Sequence, residues 1–458
     1  MTIEEIFNQQ DAQTTINMLR YKQIAVPAWE GNLENEYDVK KHPVYTDVEY
    51  HKNDTKNPVS TITLGWAKLA VKRISELAFG IPVQRVYKPT GDKEKRASEL
   101  LEAIYQKNRI DSVNLKRAKV LYAACETCTI WYGQESKDAI YAGQKAEYKL
   151  RCRTYSPMKG ERIYPLFDDA GDLIALSVEY SIVDIDKKTH TYFDTYTADL
   201  HVKWEITSKA TELLRENITL GKISGVYINR DEPIYEDNSH LCHEAEWTLS
   251  RNGNYIRKNA RPTFVISTDR ELSAGNENNS PTADRNVIRL GKGETAGYAT
   301  WQHANEATKF QVETIKREYF TQLQLPDMSM DEMKTTPMSG EARKMLFIDA
   351  QMKVTDESGI WLEFFDRELN VIREHAALMF PEYAAEFHSL QVEHVITPYS
   401  IKDDNDKITN ISTAKQAGIM STRTAVQYLG YADDVDAELK AIAEDESADL
   451  LGQNEPTM

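Results

Sequence analysis

Residues 303–354 decide the fold: HANEATKFQVETIKREYFTQL (His303–Leu323), then PDMSMDEMKTTPMSG (Pro326–Gly340), then SGEARKMLFIDAQMKV (Ser339–Val354). The first stretch reads as a helix, the second as a loop and the third as a second helix. Pro326 and Pro337 bracket the loop, and each disfavours helix in the residue before it. Ser339 can cap the following helix, with Glu341 in its first turn. A polar loop between two rods is built to protrude and move. That suits contact with something passing by better than a site that holds a substrate still.

The chain has 458 residues, room for two to four domains or one large subunit. Hydrophobic residues make up 41% and charged residues 28%, a globular composition with cores to bury. No run of about 18 apolar residues occurs, so no membrane span is expected. The opening MTIEEIFNQQDAQ is acidic and lacks the apolar stretch of a signal peptide. Four cysteines provide no disulfide framework, which fits a reducing cytoplasm. The formal net charge is -17, against the basic balance of a compact nucleic-acid binder. An acidic wall still serves where DNA must slide without sticking; the plainer reading is a solvated surface.

Working outward, a helix is expected at Ile3–Leu19 and a stronger one at Leu64–Phe79, closed by Gly80 and Pro82. Val83–Tyr87 alternates as a strand, Lys93–Asn108 and Ile110–Tyr122 read as helices, and Thr127–Tyr132 is an apolar continuation. From Tyr148 to Tyr227 the period changes to two, with strands at Ala175–Val183, Thr191–Thr197 and Leu200–Thr207. Asp169–Asp172 and Asp186–Lys188 supply turns, so this region is a meander. Helix returns at Ser239–Asn259. Strands at Thr263–Ser267 and Val287–Leu290 flank a polar loop at Asp269–Asp284. This makes a small β insert between two long helices. A helical run spans Gly340 to about Phe380, in one or two pieces, and Leu390–Ile396 alternates as a strand. Two or three helices close the chain. Residues 431–458 hold nine Asp/Glu against one Lys, so the last dozen residues are expected to be solvated or disordered.

Catalytic signals are weak. Cys125-x-x-Cys128 has no second half-site and lies in an apolar segment, which favours buried structural thiols over metal. His240, Cys242 and His243 do not share one helix face. Leu290–Thr295 lacks the spacing of a phosphate loop and a following helix. No metal and no cofactor are expected.

Several collinear stretches carry a resemblance. They are AVKRISELAFGIPVQRVY (Ala70–Tyr87), LKRAKVLYAACETCTIWYG (Leu115–Gly133), the segment Leu150–Tyr180 with its Asp-Asp turn, and DNSHLCHEAEWTLSRNGNYIRKNARPTFVIS (Asp237–Ser267). MSGEARKMLFIDAQMK (Met338–Lys353) and the tail Ser400–Glu446 complete the order. Together these resemble the portal proteins of tailed bacteriophages of the long-tailed type. The resemblance implies an α+β subunit with an α/β wing at 1–234, a first stem helix at 235–260 and a clip at 261–301. It further implies a second stem helix at 302–325, a tunnel loop at 326–340, tunnel and wing helices with a strand at 341–400, and a short crown with an acidic tail at 401–458.

The implied assembly is a dodecameric ring at one capsid vertex, in the virion and, during assembly, the host cytoplasm. Double-stranded DNA passes through it, non-specifically and transiently. The implied partners are terminase, head-completion or adaptor proteins, and capsid and scaffold proteins, with no membrane. On this map the phosphate-contacting candidates are Arg251, Arg257, Lys258 and Arg261 on the first stem helix, Lys309, Lys316 and Arg317 on the second, and Lys334 in the loop. The plainer reading is that these are ordinary solvated helix faces, or pair with Glu306, Glu313 and Glu318 on the same helix. Met328, Met330, Met333 and Met338 are candidates for soft loop contacts, and Arg285, Arg289 and Lys292 for partner docking at the clip. The alternatives are a phage head-associated, metal-dependent nuclease or hydrolase, for which no convergent ligand set is visible, and an adhesin built on the meander. The adhesin would not need the helix–insert–helix–loop–helix order.

Overall fold

A computed structural model describes residues 3–9, 11–27, 29, 62–136, 138–259, 263–267, 295–299, 305–325, 347–399, 404–430 and 435–452. The chain divides into two compact units, residues 1–327 with 349–398, and residues 328–348 with 399–458. The first unit mixes helix and sheet, as the two periodicities require.

Its chain begins with α1 (Ile3–Phe7) and α2 (Ala12–Leu19). The single helix expected over Ile3–Leu19 is therefore two. Asp11 accepts from the Thr14 N–H (3.2 Å) and the Thr14 hydroxyl (3.0 Å), and so starts a new helix as its N-cap. Helix α3 (Trp66–Phe79) buries Ala70, Val71, Ile74, Leu77 and Ala78 along one stripe. Strand β1 (Gln84–Lys88) leads to α4 (Asp92–Asn108) and α5 (Ile110–Ala124). Cys125, at φ 61°, turns the end of α5 into β2 (Glu126–Glu135).

The hairpin β3 (Ile140–Tyr141) and β4 (Gln144–Lys145) precedes β5 (Tyr148–Tyr155). Then come β6 (Arg162–Phe167), β7 (Leu173–Val183), β8 (Thr189–Tyr196), β9 (Leu200–Ile206) and β10 (Ala210–Asn217), which pair in sequence order as an antiparallel meander. The expected turns are present. Asp168 Oδ1 accepts from the Ala170 and Asp172 N–H groups (2.9 and 2.8 Å), and Gly171 takes φ 87°, which a side chain would resist. Strand β11 (Gly225–Asn229) returns to β2, giving a second sheet of order β11-β2-β5.

The period-two pattern buries both faces of the meander. On one side Phe193, Val202 and Trp204 pack with Ile6, Ile16 and Leu19 of α1 and α2. On the other, Ile163, Leu176, Val178 and Tyr180 pack with Cys128, Ile130, Tyr155 and Tyr227 of the second sheet. Each fully buried Leu, Ile or Val contributes roughly 1.5–3 kcal/mol.

Helix α6 (Ser239–Asn259) then leads to the hairpin β12 (Thr263–Ser267) and β13 (Thr295–Ala299), followed by α7 (Asn305–Gln322). The strand expected at Val287–Leu290 lies outside the described residues; the strand that pairs with Thr263–Ser267 is β13. Helix α8 (Ile348–Met379) is a single helix of 32 residues, and the start of the run expected from Gly340 lies outside the described residues. After α9 (Ala384–Ser389), β14 (Gln391–Val395) pairs antiparallel with β1.

In the second unit three helices are described: α10 (Asp404–Gln416), α11 (Thr422–Leu429) and α12 (Val435–Gly452). Ser421 caps α11 by accepting from the Thr424 N–H (3.1 Å), and Gly430 closes it at φ 70°. Of the last dozen residues, expected to be solvated or disordered, those up to Gly452 continue α12 and the rest lie outside the described residues. Lone acidic charge does not prevent a helix whose interior holds Ala, Leu and Glu, all strong helix formers.

Candidate functional site

The helices α6 and α7, which flank the paired strands β12 and β13, are each anchored at the end away from those strands. Along α6, Cys242, Glu246 and Ser250 recur every four residues and are buried, at 1%, 0% and 0% exposure. They hold the extended backbone just before α3. Glu246 Oε1 accepts from the Leu64 N–H, and Ser250 Oγ accepts from the Ile62 N–H (2.9 Å) and donates to the Ile62 carbonyl (3.3 Å). The Cys242 thiol lies 3.9 Å from the Leu64 carbonyl. These side chains satisfy backbone groups of a segment that has no strand partner among the described residues.

Helix α7 is rooted by Tyr319 and Phe320, whose rings lie 5.2 and 6.2 Å from Trp66, with the Arg73 guanidinium 4.8 Å above Phe320. Gln311 reaches Glu244 of α6 at 3.4 Å. Nearer the start of α7, Phe310 is 71% exposed.

On these helices Arg251, Lys309 and Arg317 take ordinary solvated positions. Arg251 lies 4.9 Å over the Trp247 ring, Lys309 lies 3.7 Å from Glu313, and Arg317 lies 3.7 Å from Glu318. Lys316 is half-buried. Arg257 and Lys258 fall on the last turn of α6, with side chains outside the described residues. Arg261, Arg285, Arg289, Lys292, Met328, Met330, Met333, Lys334 and Met338 also lie outside them. Helix α7 thus carries three basic residues (Lys309, Lys316, Arg317) against three acidic ones (Glu306, Glu313, Glu318). Exposed pairs of this kind contribute little to stability.

Helix α8 is held by a buried polar anchor that the sequence does not announce. Arg117 of α5 and Glu368 of α8, with side chains 0% and 2% exposed, pair at 2.5 Å. Arg117 also donates to Asn114 Oδ1 (2.9 Å), Thr129 Oγ1 (2.9 Å) and Glu368 Oε2 (3.0 Å). The Trp131 indole donates to Glu368 Oε1 (2.9 Å), and Phe364 lies under the guanidinium at 5.0 Å. Two turns before Glu368, the Trp361 indole donates to Tyr122 Oη (3.1 Å) and its ring packs on Phe79 (4.8 Å).

Later in α8, His375 Nε2 meets Ser224 Oγ at 3.0 Å, and Tyr148 Oη donates to the His375 carbonyl (3.3 Å). Burial pushes the His375 imidazole down to about 4, so it stays neutral. Burial likewise pushes the Cys125 thiol up to about 12 and Cys128 well above its usual range. Both are hydrophobic-core thiols, as their apolar setting leads one to expect. Only the apolar spacing of α8 hinted at its burial; a single Glu in that run reads as a surface residue until the partner is known.

A family model described as "Phage portal protein, SPP1 Gp6-like" matches residues 29–450. No curated protein matches the chain. Among solved structures, a chain of "Neck of empty GTA particle computed with C6 symmetry" is 9% identical with a TM-score of 0.45, covering 85% of this chain and 94% of that one. A chain of "Neck of native GTA particle computed with C12 symmetry" is 10% identical with a TM-score of 0.44, covering 91% and 98%.

Proposed function

The chain belongs to the SPP1 Gp6-like phage portal protein family, and on that premise we propose that it assembles into a dodecameric ring at one capsid vertex. There it forms the channel through which DNA enters during packaging and leaves during ejection. The single observation that carries this reading is the family match over residues 29–450. The helix–hairpin–helix of α6, β12, β13 and α7 supports it, with two long helices that carry a small β insert on a rooted base.

In this reading residues 235–260 and 302–325 are the stem, 261–301 the clip that meets terminase and head-completion proteins, and 326–340 the tunnel loop. The wing lies N-terminal to the stem, and the chain ends in a short crown. Arg251, Arg257, Lys258, Lys309, Lys316, Arg317 and Lys334 meet phosphate, while Met328, Met330, Met333 and Met338 touch the passing duplex without reading bases. Arg285, Arg289 and Lys292 face the docked partners. Sparse cations suit passage, since every added phosphate contact steepens salt-dependent retention. No catalytic step is assigned; a partner motor supplies the work of packaging.

Light scattering on the full-length protein, with electron micrographs of the same sample, tests the assembly. A mass of about twelve subunits and rings with a central hole are the expected results. A protein that stays monomeric or closes as a dimer at every concentration refutes the ring.

A further inference from the structure

Helix α7 ends in a strained turn. Gln324 stands at φ 56°, in the left-handed region that a side chain resists. Hydrogen bonds close the turn all the same. The Gln324 N–H donates to the Thr321 carbonyl (3.0 Å), and the Leu325 N–H reaches back to the Phe320 carbonyl (3.0 Å). This pair of bonds is the usual way for a helix to stop at a glycine. Here a glutamine takes the glycine's place, with its side chain exposed.

The reason lies in the residues on either side. Leu323 and Leu325 are 2% and 4% exposed, and Tyr319 and Phe320 before them are 0% and 2%. Residues two apart on a continued helix do not share a face, so α7 running on would not bury both leucines together. A left-handed residue between them does. The floor is firm, since Tyr319 and Phe320 pack on Trp66 and Phe320 lies under the Arg73 guanidinium. Pro326 follows in the sequence and disfavours helix at Leu325. The other non-glycine residues at positive φ among those described are Arg109, Cys125, Ala142 and Lys187. Each of these sits inside a short connection between two elements. Gln324 instead sits where the chain sets out on residues 326–340.

We propose that Gln324 is a positioning residue for that loop. Its left-handed turn fixes the direction in which the chain leaves α7, and so where the loop meets the duplex. It acts through the backbone and not through its own side chain. The inference rests on the assignment of 326–340 to the tunnel above. It is tested on the full-length protein carrying Gln324→Gly, Gln324→Asn or Gln324→Val. Glycine and asparagine accept the left-handed region, and a β-branched residue resists it most. The readouts are ring formation, DNA retained in assembled particles after nuclease treatment, and amide exchange at Leu325. Gln324→Gly and Gln324→Asn are expected to match the parent in all three. Gln324→Val is expected to form rings and to lose retained DNA, with exchange at the Leu325 amide faster by about tenfold. Where Gln324→Val does not assemble, Gln324→Thr is read by the same criteria.

DNA retention by the β-branched variant equal to the parent's overturns the positioning role. So does a Gln324→Gly variant as defective as Gln324→Val, which would make the side chain the working part. Deletion of Ser329–Thr335 separates this role from the reading beneath it. If the deletion abolishes retention while Gln324→Val does not, only the positioning role falls. If the deletion leaves retention unchanged, the tunnel assignment falls, and the role of Gln324 with it.

Discussion

Glu368→Gln is the sharpest probe of what holds the long helix α8. The change keeps volume and one carbonyl oxygen but removes the charge that faces Arg117 at 2.5 Å. The guanidinium then remains where its side chain is 0% exposed, with Asn114 and Thr129 as neutral acceptors. The new amide N–H groups also face donors, either the guanidinium or the Trp131 indole, so at least one hydrogen bond is lost outright. Leaving one partner of a buried pair uncompensated costs about 3–5 kcal/mol. Whole-domain stabilities are about 5–15 kcal/mol, so the loss is a large share of the total.

Denaturant titration followed by tryptophan fluorescence reads this directly, since Trp131 and Trp361 both lie in the affected packing. The pair Arg117→Met with Glu368→Leu is expected to lose less than the sum of the two single changes, with a coupling above about 2 kcal/mol, because no lone charge is left buried. A loss below about 1 kcal/mol for Glu368→Gln, or strict additivity in the double variant, would refute the anchor.

Two further outcomes follow from burial. His375 titrates at about 4 in the fold against about 6.5 when unfolded. The unfolded chain therefore binds a proton that the fold excludes, and stability is full above about pH 6.5 and falls as the pH drops toward 4. His375→Gln should shrink the loss between pH 7 and pH 4.5 by about 2 kcal/mol, measured as the change in unfolding free energy, and an unchanged acid limb would refute the buried neutral imidazole. Cys125 and Cys128 should resist a maleimide at pH 8 in the native protein and react fully in guanidinium, read by mass spectrometry; rapid native labelling of either would contradict their burial.

The local elements were legible because they rest on periodicity. The stripe of α3 ended at Gly80, the meander strands alternated between Asp-rich turns, and the helix–insert–helix order could be read directly. Some misses were local as well. One capping carboxylate, Asp11, divides a run that periodicity alone joins. The strand at Thr295–Ala299 that pairs with Thr263–Ser267 escaped the reading, since short insert strands have too few residues for alternation to mark them.

The sequence by itself determined the α+β class, the order of elements and membership of the portal family, since each depends on short-range pattern or collinear resemblance. Only the tertiary structure decided which polar residues are inside. Arg117 and Glu368 are separated by 251 residues, and Glu246 and Ser250 reach 182 and 188 residues back to Leu64 and Ile62. A carboxylate that solvates a surface and one that closes a buried network are the same letter. The difference lies in desolvation and in the partner brought to it, and both come from the fold.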